Sequence, residues 1–308
     1  MLALYHFADT IKRDFIKNKY IYFLAIPVVV YYVIFHYGPM YGLIIAFKEY
    51  KPTLGIIGSR WVGFENFISF FNDFSFVRII RNTFLINIYD ILFGFPIPII
   101  FALMLNELKS SALNRLTQTI TYLPHFISMV VICGIIKDFC STRGLVMNML
   151  SSLFGMEQYD LLSKASLFRT LYVSTNIWQS FGWNSIIYIA ALTCIDPILY
   201  ESATVDGAGR FKQMMKITLP GIAPTIIIML ILRFGQIMSV GFEKIILLYN
   251  PLTYETADVI QSFVYRRGLL DYDYSFSSAV GLFNSVINFL FVFCANKISK
   301  TFSETSLW

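Results

Sequence analysis

The chain has 308 residues, 56% of them apolar and 14% charged, with a mean hydropathy of +0.63. That balance excludes a soluble domain of ordinary composition, in which about a quarter of residues are charged, and points to a bilayer. A formal charge of +5, spread along the whole chain, suits lipid head groups and argues against nucleic acid as a partner.

A helix needs about 20 mainly apolar residues to span a membrane. Six stretches meet that length: 20–46, 82–106, 116–136, 170–195, 217–242 and 274–296. The prediction is an all-α integral membrane protein with six transmembrane helices. It divides into an N-terminal segment (1–19), a transmembrane domain (20–300) and a tail (301–308). The first stretch exceeds a signal-peptide core and lacks a small-residue cleavage site, so it is expected to be retained. Lys12, Arg13, Lys17 and Lys19 precede it directly, and this proximity favours a cytoplasmic N-terminus, although the total Lys and Arg on the two faces are similar. Both termini then lie inside. Lys109, Arg115, Arg210, Lys212, Lys216, Lys297 and Lys300 fall on the same side, and the loops 47–81, 137–169 and 243–273 face outward.

Asp90 is the one charge in the second stretch, and Arg233 the one in the middle of the fifth. Intramembrane ions mark functional sites or structural pairs. Arg233, with Gln236 one turn on, offers a fork of donors suited to a carboxylate or a hydroxyl-rich ligand. An Arg233 to Asp90 pair, or an arginine reaching for the interface, accounts for the same residues. The fourth stretch carries Asn176, Gln179 and Trp183 at i, i+3 and i+7, with Ser180 and Asn184 adjoining. Amides both donate to and accept from hydroxyls, and tryptophan offers an apolar face to the C–H side of a pyranose. The same amides could equally hold neighbouring helices together.

Between the fourth and fifth stretches lies a charged segment, DPILYESATVDGAGRFKQMMKITLPGIAP (196–224). Asp196-Pro197 starts a helix, the carboxylate capping free N–H groups. Gly207, Ala208 and Gly209 break it, and Phe211, Met214 and Met215 follow at helical spacing up to Leu219-Pro220. Further on, Ile245 to Tyr249 is apolar but too short to span, and precedes Asn250-Pro251; it reads as a surface or re-entrant piece. Cys133, Cys140, Cys194 and Cys294 lack metal-type spacing. His6, His36 and His125 are isolated, and no nucleophilic constellation is evident. No GxxxxGK[ST] loop is present, so energy from ATP would have to come through another subunit.

Glu201-Ser202-Ala203, Gly207 and Ile217-Thr218-Leu219-Pro220 resemble the EAA motif of ABC importer permeases, with Ser202 as the one departure. In that family the loop is a coupling helix that docks on a separate ATPase subunit. The resemblance gives this role to Glu201, Ala203, Asp206 and Gly207, with Phe211, Leu219 and Pro220 completing the segment. Further strings resemble the polysaccharide and complex-oligosaccharide branch of the carbohydrate importer permeases. They are Tyr37-Gly-Pro-Met-Tyr-Gly42, Phe47 to Pro52, Trp61 to Phe67, Arg81-Asn82-Thr83, Leu123 to Ser128, Leu248 to Pro251 and Tyr265 to Gly268. The resemblance implies the type I, maltose-type transmembrane fold. It also implies a second homologous permease, an ATPase dimer that holds the ATP and Mg, and no cofactor in this chain. An extracellular solute-binding lipoprotein would deliver an oligo- or polysaccharide across a bacterial plasma membrane. Trp61, Tyr249, Tyr254, Tyr265, Arg266 and Arg267 would suit its docking, although interfacial anchoring explains the aromatics as well. The alternatives are a non-sugar cargo, or a stand-alone carrier driven by ions through Asp90 and Arg233.

Overall fold

The computed structural model describes residues 14, 17–108, 110–302, 306 and 307. Lys12, Arg13, Lys109 and His6, with most of the segment 1–19 and half of 301–308, lie outside the described residues. In chain order the main helices are α1 (Lys19–Phe47), α2 (Phe76–Asn106), α3 (Ser111–Phe126), α4 (Met129–Phe154, interrupted after Cys140), α5 (Ala165–Leu192), α6 (Pro197–Val205), α7 (Arg210–Phe234), α8 (Phe242–Leu248) and α9 (Tyr274–Phe302). Among the described residues four of them, α1, α2, α7 and α9, are long and apolar enough to cross a bilayer, and the total is six if each of the bent pairs α3–α4 and α5–α6 counts as one span. A two-residue hairpin, Lys48–Glu49 against Arg60–Trp61, follows α1.

The six predicted stretches are thus all present, with four differences of detail. α2 starts at Phe76, six residues early, because Asp73 turns the chain by accepting the Ser75 N–H at 2.8 Å and lets the helix begin before the apolar run. The third stretch is not one straight rod. Leu123-Pro124 tightens α3 into a 3₁₀ turn, Ser128 recaps the chain through Val131, and α4 leaves at 98°. The fifth stretch ends at Phe234, short of residue 242. There Gly235 lies so close to α9 that a Cβ would meet Val292 Cγ2 at 2.4 Å. Finally, Ile245 to Tyr249, expected as a surface or re-entrant piece, is not on the surface: it falls largely in the short helix α8, where Ile245 and Leu248 are buried against Ile132, Cys133 and Ile136 of α4 and Phe168 and Tyr172 of α5.

Lipid tails are as apolar as leucine, so close contact and hydrogen bonds hold spanning helices together more than the hydrophobic effect does. Glycine supplies that contact between α5 and α3, where a Cβ on Gly182 would lie 2.3 Å from the Thr121 carbonyl oxygen. A second core joins Phe70, Ile79 of α2, Ile260, Phe263 and Phe276 of α9. By contrast, the apolar window of α1 is unburied among the described residues, free for lipid or another subunit, and only its last turn, with Ala46 buried, packs on the chain.

Candidate functional site

Asp90 opens a π-helical turn in α2, Asp90–Gly94, in which the Phe95 N–H reaches back five residues to the Asp90 carbonyl at 3.0 Å. Pro96 and Pro98 follow and bring no N–H, which removes two of the α-type bonds that would keep the helix tight. The widened turn brings α5 against it. A Cβ on Gly94 would lie 3.0 Å from Asp90 Oδ1 and 3.4 Å from Ile177 Cγ1, so glycine is what lets the carboxylate and α5 meet. The Asp90 carboxylate, 8% exposed, accepts from Asn176 Nδ2 at 2.8 Å and pairs with the Arg233 guanidinium of α7. Three helices are thereby tied at one point. Removing one member of such a buried pair typically costs about 3–5 kcal/mol, because the other charge is left unmatched.

Around this tie is a cavity of about 420 Å³. Its polar lining is Asp90, Asn176, Ser180, Asn184, Arg233 and Gln236, and its apolar lining includes Phe95, Pro98, Ile177, Tyr188, Met229 and Leu232. The volume falls in the usual range for ligand sites, and the lining offers donors, acceptors and apolar faces together. Six of the eight residues singled out in the sequence for a substrate pathway therefore come together. Gln179 and Trp183 do not join them. Gln179 is buried on another face of α5, and Trp183 stacks on His125 at 4.5 Å and meets Phe126 edge-on at the α3 bend. The cavity-facing row of α5 runs at i, i+4 and i+8, through Asn176, Ser180 and Asn184, and not through i+3.

A smaller chamber of about 180 Å³ adjoins, sharing Asp90, Asn176, Arg233 and Gln236, and extends to Lys244 of α8. Lys244 is 1% exposed. Its Nζ lies 5.2 Å from the centre of the Tyr172 ring and has no hydrogen-bond partner among the described residues. Burial lowers the ammonium to about 8. A contact with an aromatic face contributes about 0.5–2 kcal/mol, against several kcal/mol for taking the charge out of water. Lys244 escaped the sequence reading because it heads a short apolar run; burying that run necessarily buries the lysine with it.

The segment after α5 bends by 73° into α6, where Asp196 Oδ1 accepts the Ile198 N–H at 2.9 Å. α6 ends in a paired-bond turn: Ala208 N–H donates to the Ala203 carbonyl at 2.9 Å and Gly207 N–H to that of Thr204 at 3.0 Å. Gly207 has φ +75°, a left-handed conformation open to glycine. Gln213 Nε2 fastens the turn to Thr204 Oγ1 and the Ala208 carbonyl, both at 2.9 Å, and Tyr200 meets Thr218 at 3.0 Å. Arg210–Phe234 then runs on without a break, so α6 is bonded directly to the base of a spanning helix. Ala203 and Leu219 are half-buried, whereas Glu201, Asp206, Phe211 and Pro220 are exposed. Ile198, Val205 and Phe211, at 62%, 89% and 72% exposure, give the segment an apolar outer face.

The residues considered for external docking do not form one exposed patch. Trp61 is exposed and stacks on Phe47. Arg266 is engaged inward, donating to the fully buried Asp258 at 2.7 Å and lying 4.9 Å from the centre of the Tyr254 ring, with Tyr249 beside it. Its bonds to Asp258 and Tyr249 outweigh burial and hold the guanidinium above its ordinary value. Arg78 of α2 reaches the same carboxylate at 3.3 Å, and Asn82 donates to the Asp258 carbonyl at 2.9 Å. Tyr265 lines an apolar groove with Phe242, and Arg267 covers Phe276. Asp258 went unnoticed in the sequence, although a pair of arginines at 266–267 implies an acid nearby.

Residues 94–303 match the model of a family described as the binding-protein-dependent transport system inner membrane component. The chain belongs to that family. This permease is 44% identical to protein LplB of Bacillus subtilis (strain 168) over 293 residues, which is 95% of the chain and 92% of the relative. It is 39% identical to the polygalacturonan/rhamnogalacturonan transport system permease protein YteP of the same organism, covering 95% and 91% of the two chains. A chain of the crystal structure of a bacterial alginate ABC transporter, in complex with an alginate pentasaccharide-bound periplasmic protein, superposes with a TM-score of 0.87. That chain is 43% identical, with 96% of this chain and 99% of that one covered. The permease is therefore an ABC transporter component of the type I fold and not an enzyme, and the ion-driven carrier is set aside.

Proposed function

We propose that this permease forms, with a second related permease, the membrane pathway for an oligo- or polysaccharide handed over by an extracellular solute-binding lipoprotein. The observation that carries the reading is the cavity walled by Asp90, Asn176, Ser180, Asn184, Arg233 and Gln236, polar groups that lipid would not tolerate unless they faced water or cargo. The names of the relatives support the cargo class: one transports polygalacturonan and rhamnogalacturonan, another alginate.

An ATPase dimer, holding the ATP and Mg, docks on α6 and the turn that follows it, about Glu201, Ala203, Asp206, Gly207 and Phe211. Because α6 is bonded to the foot of α7 through Gln213 and Tyr200, movement of the ATPases turns α7 and shifts Arg233 and Gln236 relative to α5. Both termini lie in the cytoplasm of a bacterial cell, and Trp61 stands on the outer side, where the binding protein arrives. The test is uptake into proteoliposomes reconstituted with both permeases, the ATPase and the binding protein. Oligosaccharide accumulation that needs ATP and all four components is the expected result; accumulation by this chain alone would overturn the reading.

A further inference from the structure

A buried ammonium in a membrane protein is held by an acid, by carbonyl groups, or by something that arrives. Lys244 has neither of the first two. Its Nζ makes no hydrogen bond with any described residue, and Tyr172 presents it with the face of a ring, which recovers only a minor part of the desolvation penalty. Asp90 shares the chamber, but its carboxylate is already taken by Arg233 and Asn176. The charged lining of the chamber is then two cations, Arg233 and Lys244, against one anion, Asp90, which leaves one positive charge unmatched.

We propose that Lys244, together with the cavity edge formed by Arg233, Asn176 and Gln236, is a carboxylate-binding subsite that selects acidic sugars over neutral ones. The inference rests on the saccharide reading above and adds the charge of the cargo to it. The geometry serves one carboxylate at a time. An incoming uronate brings the missing negative charge to the one cation that lacks a partner, while Gln236 remains available to its hydroxyls. A neutral sugar in the same place leaves the ammonium bare. The Asp90–Arg233 tie stays intact throughout, because the chamber's surplus charge comes from Lys244.

The test uses the complete reconstituted complex and two probes, an oligogalacturonate and the same oligomer with its carboxyls methyl-esterified. Uptake of the two is compared with one and the same binding protein, so that the ratio of rates under wild-type and variant permease cancels the binding protein's own preference. Wild type is expected to favour the acid, Lys244→Met to reduce that ratio about tenfold, and Lys244→Arg to restore most of it. A ratio unchanged in Lys244→Met, or equal loss of both probes, would make the lysine a packing residue and overturn the inference. Uptake of neither probe by wild type would instead refute the saccharide reading, and this inference with it.

Discussion

Replacing Asp90 by asparagine keeps its size and the contact with Asn176 but strands the Arg233 guanidinium between α2, α5 and α7. A full buried-pair loss is about 3–5 kcal/mol. Arg233 is 35% exposed along its side chain, against 8% for Asp90, so part of its charge is solvated and about 2–3 kcal/mol is the expected penalty. For a chain of this size, one kcal/mol corresponds to about 2 °C in the unfolding midpoint, giving a fall of about 4–6 °C. Arg233→Gln leaves the smaller and better-hydrated carboxylate unpaired and should cost a similar amount. The double variant Asp90→Asn/Arg233→Gln removes both charges and leaves two amides able to bond each other, so it should lose only about 1 kcal/mol. Thermal loss of the monodisperse complex in detergent, followed by size-exclusion fluorescence, reads all three. A double variant as unstable as the two single losses added together would show that the pair does not hold the helices.

Gly182→Ala should destabilise the permease by about 1–3 kcal/mol in the same assay, since its Cβ meets the Thr121 carbonyl at 2.3 Å, whereas Gly134→Ala, with nothing within 4 Å, should be near neutral. Gly207→Ala introduces no clash but strains a φ of +75° by about 1–2 kcal/mol, so ATP hydrolysed per sugar transported should rise while the complex still assembles. The pH dependence of cargo choice follows from Lys244, whose ammonium is lowered to about 8 by burial and faces Cys133 of α4, Tyr172 of α5, Asp90 of α2 and Arg233 of α7, with Glu243 beside it on α8. A lowered lysine is charged below that value and neutral above it, so the preference for the acidic probe should be present at pH 7 and fade as pH rises past 8. In Lys244→Arg the preference should persist to higher pH; identical profiles for the two would contradict the assignment.

The spans were legible because 20-residue apolar runs leave few choices, and the coupling segment because glycine and proline punctuate it: Asp196-Pro197 caps, and Gly207 turns. The convergence of Asp90 with Arg233 could be anticipated as two lone intramembrane ions of opposite sign. Harder to read was which face of α5 the cavity takes. Trp183 suits a sugar platform by residue type, yet the α3 bend at Pro124 places His125 and Phe126 against it. Lys244 and Asp258 were invisible because their meaning lies in what surrounds them. Lys244 is buried by the apolar residues that follow it, and Asp258 is surrounded by Arg78 and Arg266, which are 180 and 8 residues away. Of the docking set, Tyr249, Tyr254 and Arg266 cluster, with Arg266 held inward by Asp258.

In the proposed complex α6 joins a separate ATPase to this permease. Affinity purification of the chain from its native membrane, as wild type and as Gly207→Pro, tests it most directly, because proline cannot adopt the φ of +75° that the turn requires. An ATPase and a second permease should accompany wild type, and the ATPase should be lost from Gly207→Pro while the second permease remains. Recovery of the chain alone in both cases, or of the ATPase undiminished with the variant, would contradict it.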